Sequence, residues 1–277
     1  MSRYGDDTLR QKKSLGQVFL KTDWPVTRMV EKLVQLRIAR VIEIGPGNGI
    51  LTKALVEAGI RVTAVEKDDR FAARMTEYAQ GLGDGPHAGA LNVINEDILR
   101  FDWDVWLAES GGRAAIVGNI PYNISSPLLQ KVIDTFGREG GDKLMAVMFM
   151  TQLEFAQRIV ARPGTKDYGS LTVFAQLRTD IAMEYTVPRT CFQPVPKVDS
   201  AVILLSPKRD VPEEAVLKQT ERITRMAFTQ RRKKLRNSVR QFMGNKQEAD
   251  CPIDLERRAD TLSPKEFVDL AAFLTGK

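Results

Sequence analysis

Asn119, Ile120, Pro121 and Tyr122 follow directly on the apolar run 114–118 and carry the densest chemistry in the chain. They supply a side-chain amide, backbone carbonyls without a competing local donor, and an aromatic face. Pro121 has no N–H and biases Ile120 toward an extended conformation, so the Ile120 carbonyl and the Asn119 amide oxygen can point the same way. Two convergent acceptors suit a planar NH₂ group, and the Tyr122 ring suits a stacked base. The exocyclic amine of a nucleobase is a poor nucleophile because its lone pair is shared with the ring. Two acceptors drawing on its hydrogens favour the pyramidal, reactive form. The same residues also fit a plain loop after a strand, with Asn119 capping a turn and Pro121-Tyr122 packing locally.

A second constellation lies upstream. Glu43-Ile44-Gly45-Pro46-Gly47-Asn48-Gly49 joins an apolar strand to a helical pattern. Glycines there permit a tight turn and let a ligand approach the backbone at a helix N-terminus. The spacing is Gly-x-Gly-x-Gly, with Ile50 where a dinucleotide fingerprint wants its third glycine. Glu66 stands 21 residues after Gly45, at the end of the next strand, where an acid can accept from both ribose hydroxyls. Glu96-Asp97 ends the strand after that, where a carboxylate can accept from an adenine amino group. Singly, these are a turn and solvated carboxylates. Together they point to a nucleoside-bearing cofactor.

The elements that must position these groups are strands at 41–44, 61–65, 91–94, 114–117, 144–150, 181–187 and 198–205. Helices are expected from Asp23-Trp24-Pro25 onward, at 50–58, from Asp68, and from Ser126-Pro127 through Phe136. Thr151 and Glu154 read as a capping box opening a further helix. Strands alternating with helices imply an α/β fold with a mostly parallel sheet covered on both faces. After Ser206-Pro207 strand signals stop, and helices are expected at 213–228, 234–243 and 264–274. The last opens on the capping box Ser263-Pro264-Lys265-Glu266. A domain boundary is placed near residue 207. In a doubly wound sheet the first and fourth strands are neighbours, and ligands bind at their C-terminal ends. A cofactor on the Gly45–Gly49 turn then presents its reactive end to Asn119, which suggests methyl transfer from S-adenosylmethionine to an amine. Alignment and desolvation of the attacking nitrogen supply most of such catalysis.

Composition narrows the setting. The chain has 277 residues, a net charge of +6, two cysteines (Cys191 and Cys251) and one histidine. Neither cysteine has metal-ligand spacing, so no metal site is expected. His87 lies in a Gly-rich stretch, which argues against His-dependent catalysis. Residues 1–13 are polar with no apolar core, and the longest apolar run, 144–150, is too short to cross a bilayer. These features favour a cytoplasmic protein. Arg231, Arg232, Lys233, Lys234, Arg236 and Arg240 form a run with no acid among them. Such clustering suits phosphate backbones, although a solvated helix face has the same look.

With these pieces in order, the chain resembles the rRNA adenine N6-dimethyltransferase family, and within it the bacterial small-subunit branch. The resemblance runs from about Lys13 to the C-terminus. It rests on 15–20 (LGQVFL), 43–49 (EIGPGNG), 118–128 (GNIPYNISSPL), 163–171 (PGTKDYGSL), 192–200 (FQPVPKVDS), 227–238 (AFTQRRKKLRNS) and 258–262 (RADTL). It implies a class I S-adenosylmethionine-dependent methyltransferase fold, Rossmann-like, with a seven-stranded sheet in the order 3-2-1-4-5-7-6. A flexible tail at 1–13, a methyltransferase domain at 14–207 and a small all-α C-terminal domain at 208–277 that binds RNA are implied with it. So is dimethylation of two adjacent adenosines near the 3′ end of 16S rRNA in a maturing 30S subunit; nothing in the sequence demands a dimer, and a monomer is expected. By motif position, Leu20, Gly45, Glu66, Asp97 and Asn119 contact S-adenosylmethionine. Asn119 lies between cofactor and target base, and Tyr122 and Phe192 sandwich the flipped adenine; from the residues alone, Phe192 ahead of Pro194 and Pro196 also fits plain packing at the domain edge. Val18 departs from the family, which usually has Asn or His there.

Four other readings share some of these features. The sister enzyme that dimethylates 23S rRNA uses the same Asn-Ile-Pro-Tyr logic, but segments 227–238 and 258–262 favour the small-subunit enzyme. A DNA amino-methyltransferase would need an inserted target-recognition domain. A non-catalytic RNA-binding assembly factor would not need the intact glycine turn and Asn119. An NAD-dependent oxidoreductase fails on Ile50 and on the missing general acid or base.

Overall fold

The computed structural model describes residues 18–136 and 143–276; the expected tail at 1–13 lies outside them. The chain opens with a short strand, β1 (Phe19–Leu20), and helix α1 (Trp24–Gln35). It continues through β2 (Arg40–Ile44), α2 (Ile50–Glu57), β3 (Arg61–Glu66), α3 (Asp69–Gly81), β4 (Leu91–Asn95), α4 (Trp103–Glu109) and β5 (Ala114–Asn119). Next come α5 (Ser125–Phe136), β6 (Leu144–Gln152), α6 (Leu153–Ile159), α7 (Ser170–Arg178), β7 (Thr179–Val187), β8 (Phe192–Gln193) and β9 (Ser200–Pro207). Helices α8 (Glu214–Thr229), α9 (Leu235–Met243) and α10 (Pro264–Thr275) finish the chain.

Seven strands form one sheet in the order β4-β3-β2-β5-β6-β9-β7. Counting only these strands, that is the expected order 3-2-1-4-5-7-6. β4 through β6 are parallel neighbours, and β9 runs antiparallel between β6 and β7. Strand alternation sends Ile42, Ile44, Ile116 and Val147 to one face, under α4, α5 and α6. Val41, Ala64, Val117 and Met148 go to the other, under α1 and α2. In α1, Val26, Met29, Val30 and Leu33 recur at helical spacing and are all buried, which fixes the helix to the sheet.

Two local expectations are corrected. The Thr151–Glu154 capping box does not form: the N-cap of α6 is Gln152, with no side-chain cap bond. Pairing of Gln152 with Ser200 keeps Thr151 inside β6, where its hydroxyl meets the buried Ser125 hydroxyl at 3.3 Å. Helices α4 and α7 were not expected; α4 is short and is capped by Asp102, which accepts from the N–H groups of Asp104 and Val105. Apolar packing also runs across residue 207. Leu217, Ile223 and Phe267 of the terminal helices share a core with Tyr168 and with Val173, Phe174 and Leu177 of α7. By contrast, the Ser263–Glu266 capping box forms as expected.

Candidate active site

The sheet brings the two sequence constellations together. In the parallel pair β2–β5, Glu43 lies opposite Val117 and Ile44 opposite Gly118, so the Gly45 turn and Asn119 leave the sheet at one edge. Period-two alternation also puts Glu43, Glu66 and Asn119 on the face that carries Val41, Ala64 and Val117. Gly118 allows this closeness: a Cβ there would lie 2.7 Å from the Ile44 carbonyl oxygen. One pocket is lined by Leu20, Gly45, Glu66, Asn119 and Ile120 among others. An adjoining one, lined by Gly45, Glu66, Asp97 and Pro121, extends to the β4 end.

The glycine turn is held from two sides. Gly47 has φ +52°, and a Cβ on it would come 2.8 Å from the Phe19 ring, which lies across the turn and packs on Phe71. Larger residues are therefore excluded by both backbone and space. Glu66 accepts from the Gly47 N–H at 3.2 Å and the Asp68 N–H at 2.8 Å. Burial raises its carboxyl above the ordinary range against the pull of those donors.

Below the turn, Glu43 is buried, and its pKa is raised to about 8, chiefly by desolvation. Among the described residues, its Oε2 and the Asn48 Oδ1 are buried atoms without a hydrogen-bond partner, and both residues line the first of these pockets. An unpartnered carboxyl and amide oxygen at a tight glycine turn fit a polar ligand, as an amino-acid-bearing nucleoside is. Glu43 is a pocket-lining residue to which motif reading gave no role, because a carboxylate at a strand end looks like any other until its burial is known.

On β5 and beyond, the Asn119 side-chain NH₂ donates to the Val18 carbonyl at 3.0 Å. That bond fixes the amide and leaves Oδ1 without a partner among the described residues. The Ile120 N–H is used by the Met150 carbonyl at 2.9 Å. Val18 thus contributes through its backbone, where a polar side chain is usual in the resembled family. Tyr122 sits half-buried in a 3₁₀ turn directly after Pro121, its hydroxyl 3.5 Å from the Ser200 hydroxyl. Asp97 pairs with Lys67 at 2.8 Å, which holds its carboxyl below the ordinary range.

Phe192 is placed differently from the expectation. It is fully buried, in the same core as Val26, Met150 and Val202, and β8 is covered by β1 through the Leu20–Phe192 pairing. Its ring presents no open face for a base in this conformation.

The basic run is likewise divided. Arg231 donates to the carbonyls of Thr165 and Lys166 and pairs with Asp260. Lys234 and Arg236 both pair with Glu256. Arg232, Lys233 and Arg240 are exposed without a side-chain partner among the described residues. Among those residues, too, no helix is long and apolar enough to cross a membrane.

A seven-stranded, mostly parallel sheet with a glycine turn, strand-end acids and the Asn119 loop at one edge is the architecture of a Rossmann-like methyltransferase. The sequence profile of the ribosomal RNA adenine dimethylase family matches residues 8–276, and the chain belongs to that family. It is accordingly an S-adenosylmethionine-dependent rRNA adenine dimethyltransferase. A ribosomal RNA small subunit methyltransferase A from Francisella tularensis subsp. novicida is 38% identical over 275 residues, covering 96% of this chain and 98% of the relative. Among solved structures, the 23S rRNA methyltransferase ErmE superposes with a TM-score of 0.65 at 26% identity, over 93% of this chain and 99% of that one. A dimethyladenosine transferase from Plasmodium falciparum has the same fold, with a TM-score of 0.70 at 22% identity, over 91% and 95% of the two chains.

Proposed function

We propose that this enzyme transfers two methyl groups to N6 of each of two adjacent adenosines in the 3′-terminal hairpin loop of 16S rRNA. Its substrate is the maturing 30S subunit, and it acts as a monomer in the cytoplasm. The family supplies the chemistry, and full-length similarity to a small-subunit enzyme supports the choice of RNA. The observation that carries the reading is the register of β2 against β5, which sets the glycine turn beside Asn119.

Bound S-adenosylmethionine supplies an electrophilic methyl that needs no further activation. The chain's own residues do the rest. Leu20 and the Gly45 turn enclose the cofactor, Glu66 accepts from its ribose hydroxyls, and Asp97 accepts from its adenine amine. Asn119 Oδ1 and the Ile120 carbonyl would accept the hydrogens of the target amine, two in the first transfer and one in the second, and turn its lone pair toward the methyl; in each transfer the N–C bond forms as the S–C bond breaks, S-adenosylhomocysteine leaves and the amine loses one proton to water. Tyr122 stacks on the extruded base. Val18 acts by holding the Asn119 amide in the orientation that leaves its oxygen free. Phe192 joins as a second stacking surface only if β1 and β8 shift to uncover it. The division near residue 207 is read as functional: helices α8–α10 carry the exposed cations that meet the RNA backbone.

The test is to incubate purified protein with radiolabelled S-adenosylmethionine and undermethylated small or large subunits, then map the labelled nucleotides. Label on two neighbouring adenosines near the 16S 3′ end is expected. Label on 23S rRNA would assign the chain to the sister activity, and none on either subunit would leave it an assembly factor.

A further inference from the structure

Lys131 lies on α5, roughly two helical turns after Tyr122. Its ammonium donates to three backbone carbonyls at once: Ile98 at 2.9 Å, Leu99 at 3.2 Å and Phe101 at 2.6 Å. It also lies 4.6 Å from the centre of the Trp103 ring. The carbonyls belong to the turn that Asp97 opens, in which the Arg100 and Phe101 N–H groups donate back to the Asp97 carbonyl. The Leu99 N–H donates to Asp97 Oδ1 at 3.0 Å. A single turn leaves its last carbonyls without backbone partners, and a cation at that end satisfies them. Three ammonium hydrogens meet three carbonyls here, so Lys131 has no donor left for anything else. Partial burial lowers its pKa, while Asp102, Asp104, Glu96 and Asp97 oppose that shift.

We propose that Lys131 is a positioning residue for cofactor selectivity: by gathering the carbonyls of Ile98, Leu99 and Phe101 it fixes the turn that aims Asp97, and so lets the site distinguish a 6-amino purine from a 6-oxo purine. The inference rests on the reading of Asp97 as acceptor for the adenine amine. It also links the cofactor's adenine end to the helix that begins beside Tyr122. Without Lys131 the turn keeps the Trp103 indole N–H on the Ile98 carbonyl and the Lys67 pair on Asp97 but loses the cation that gathers Leu99 and Phe101; Asp97 then follows Lys67 out of line, and an amino group gains little over a carbonyl oxygen.

Calorimetry with S-adenosylhomocysteine and its deaminated counterpart S-inosylhomocysteine tests this on the full chain without turnover. Wild type is expected to prefer the amino form by about tenfold or more, the worth of a hydrogen bond to a charged acceptor. Lys131→Met, which keeps the aliphatic stem over Trp103, should reduce that ratio to within about threefold by weakening the amino form alone. Equal weakening of both ligands, or an unchanged ratio, overturns the proposal. Asp97→Asn separates the two levels: an unchanged ratio there overturns the adenine reading itself, as does a wild-type ratio near one. If Lys131→Met fails to fold, Lys131→Gln is read by the same criteria.

Discussion

The two halves of the site are held in different ways. On the side proposed for the cofactor, the glycine turn is tied to Glu66 by the Gly47 N–H and covered by Phe19. On the acceptor side, Asn119 is oriented by Val18 and Tyr122 is accessible, but Phe192 is packed into the core under β1. One half is preorganised; the other is complete only in part. The difference suits the two substrates. A small cofactor must be taken up by the free protein, whereas a base extruded from RNA arrives with enough binding energy to remodel its receptor.

The largest effect that would break this contrast lies at Phe192. If its ring were an idle stacking surface, Phe192→Ala would leave stability unchanged. Buried as it is, the substitution is expected to cost about 3–5 kcal/mol, read as a lower denaturant midpoint at constant slope. Phe192→Leu should restore most of that stability, since volume-conserving swaps in a core cost less than about 1.5 kcal/mol.

A smaller effect sharpens the cofactor half. Glu43 titrates near 8 when folded and near 4.5 as a free side chain. Between those values the unfolded chain has lost a proton that the folded chain retains. Stability of the cofactor-free protein should therefore fall as pH rises through that window and level off above it. Glu43→Gln should remove this decline, seen as a flatter dependence of Tm on pH. An equal slope in both proteins would show that Glu43 is ionised in the fold.

The smallest expected effect concerns RNA. Arg232 and Lys233 are exposed and without a side-chain partner among the described residues, whereas Lys234 and Arg236 share Glu256. Arg232→Ala with Lys233→Ala should reduce the slope of log K against log salt for subunit binding by about one to two. Lys234→Ala with Arg236→Ala should change it less. The reverse order would mean that the ion pairs open on the RNA.

Much of this was legible in residue order. The glycine turn, the strand-end acids Glu66 and Asp97, and the Asn119 loop sit where local pattern put them, because each is a strand end followed by punctuation. What escaped depends on contacts distant in sequence. Phe192 stands ahead of Pro194 and Pro196, where local pattern fits stacking or edge packing alike; its burial comes from Val26, Met150 and Val202 and from the pairing with Leu20, all distant in sequence. The basic run holds no acid of its own, and Glu256 and Asp260 come from the far side of α9 to neutralise half of it. Helix α7 passes straight into β7 at Thr179 with no turn residue between, so periodicity had nothing to break on. The Thr151 capping box failed because sheet pairing outlasted the local signal by two residues.

The central claim is that Asn119 grips the amine that receives the methyl. Its most direct test is the single-turnover rate of Asn119→Ala on undermethylated small subunits, with subunit affinity measured alongside. The rate is expected to fall by roughly 10²–10³-fold or more, the usual loss when one preorganised polar contact is removed, while subunit affinity stays within about threefold. A variant that transfers methyl groups within about tenfold of the wild-type rate would contradict the account.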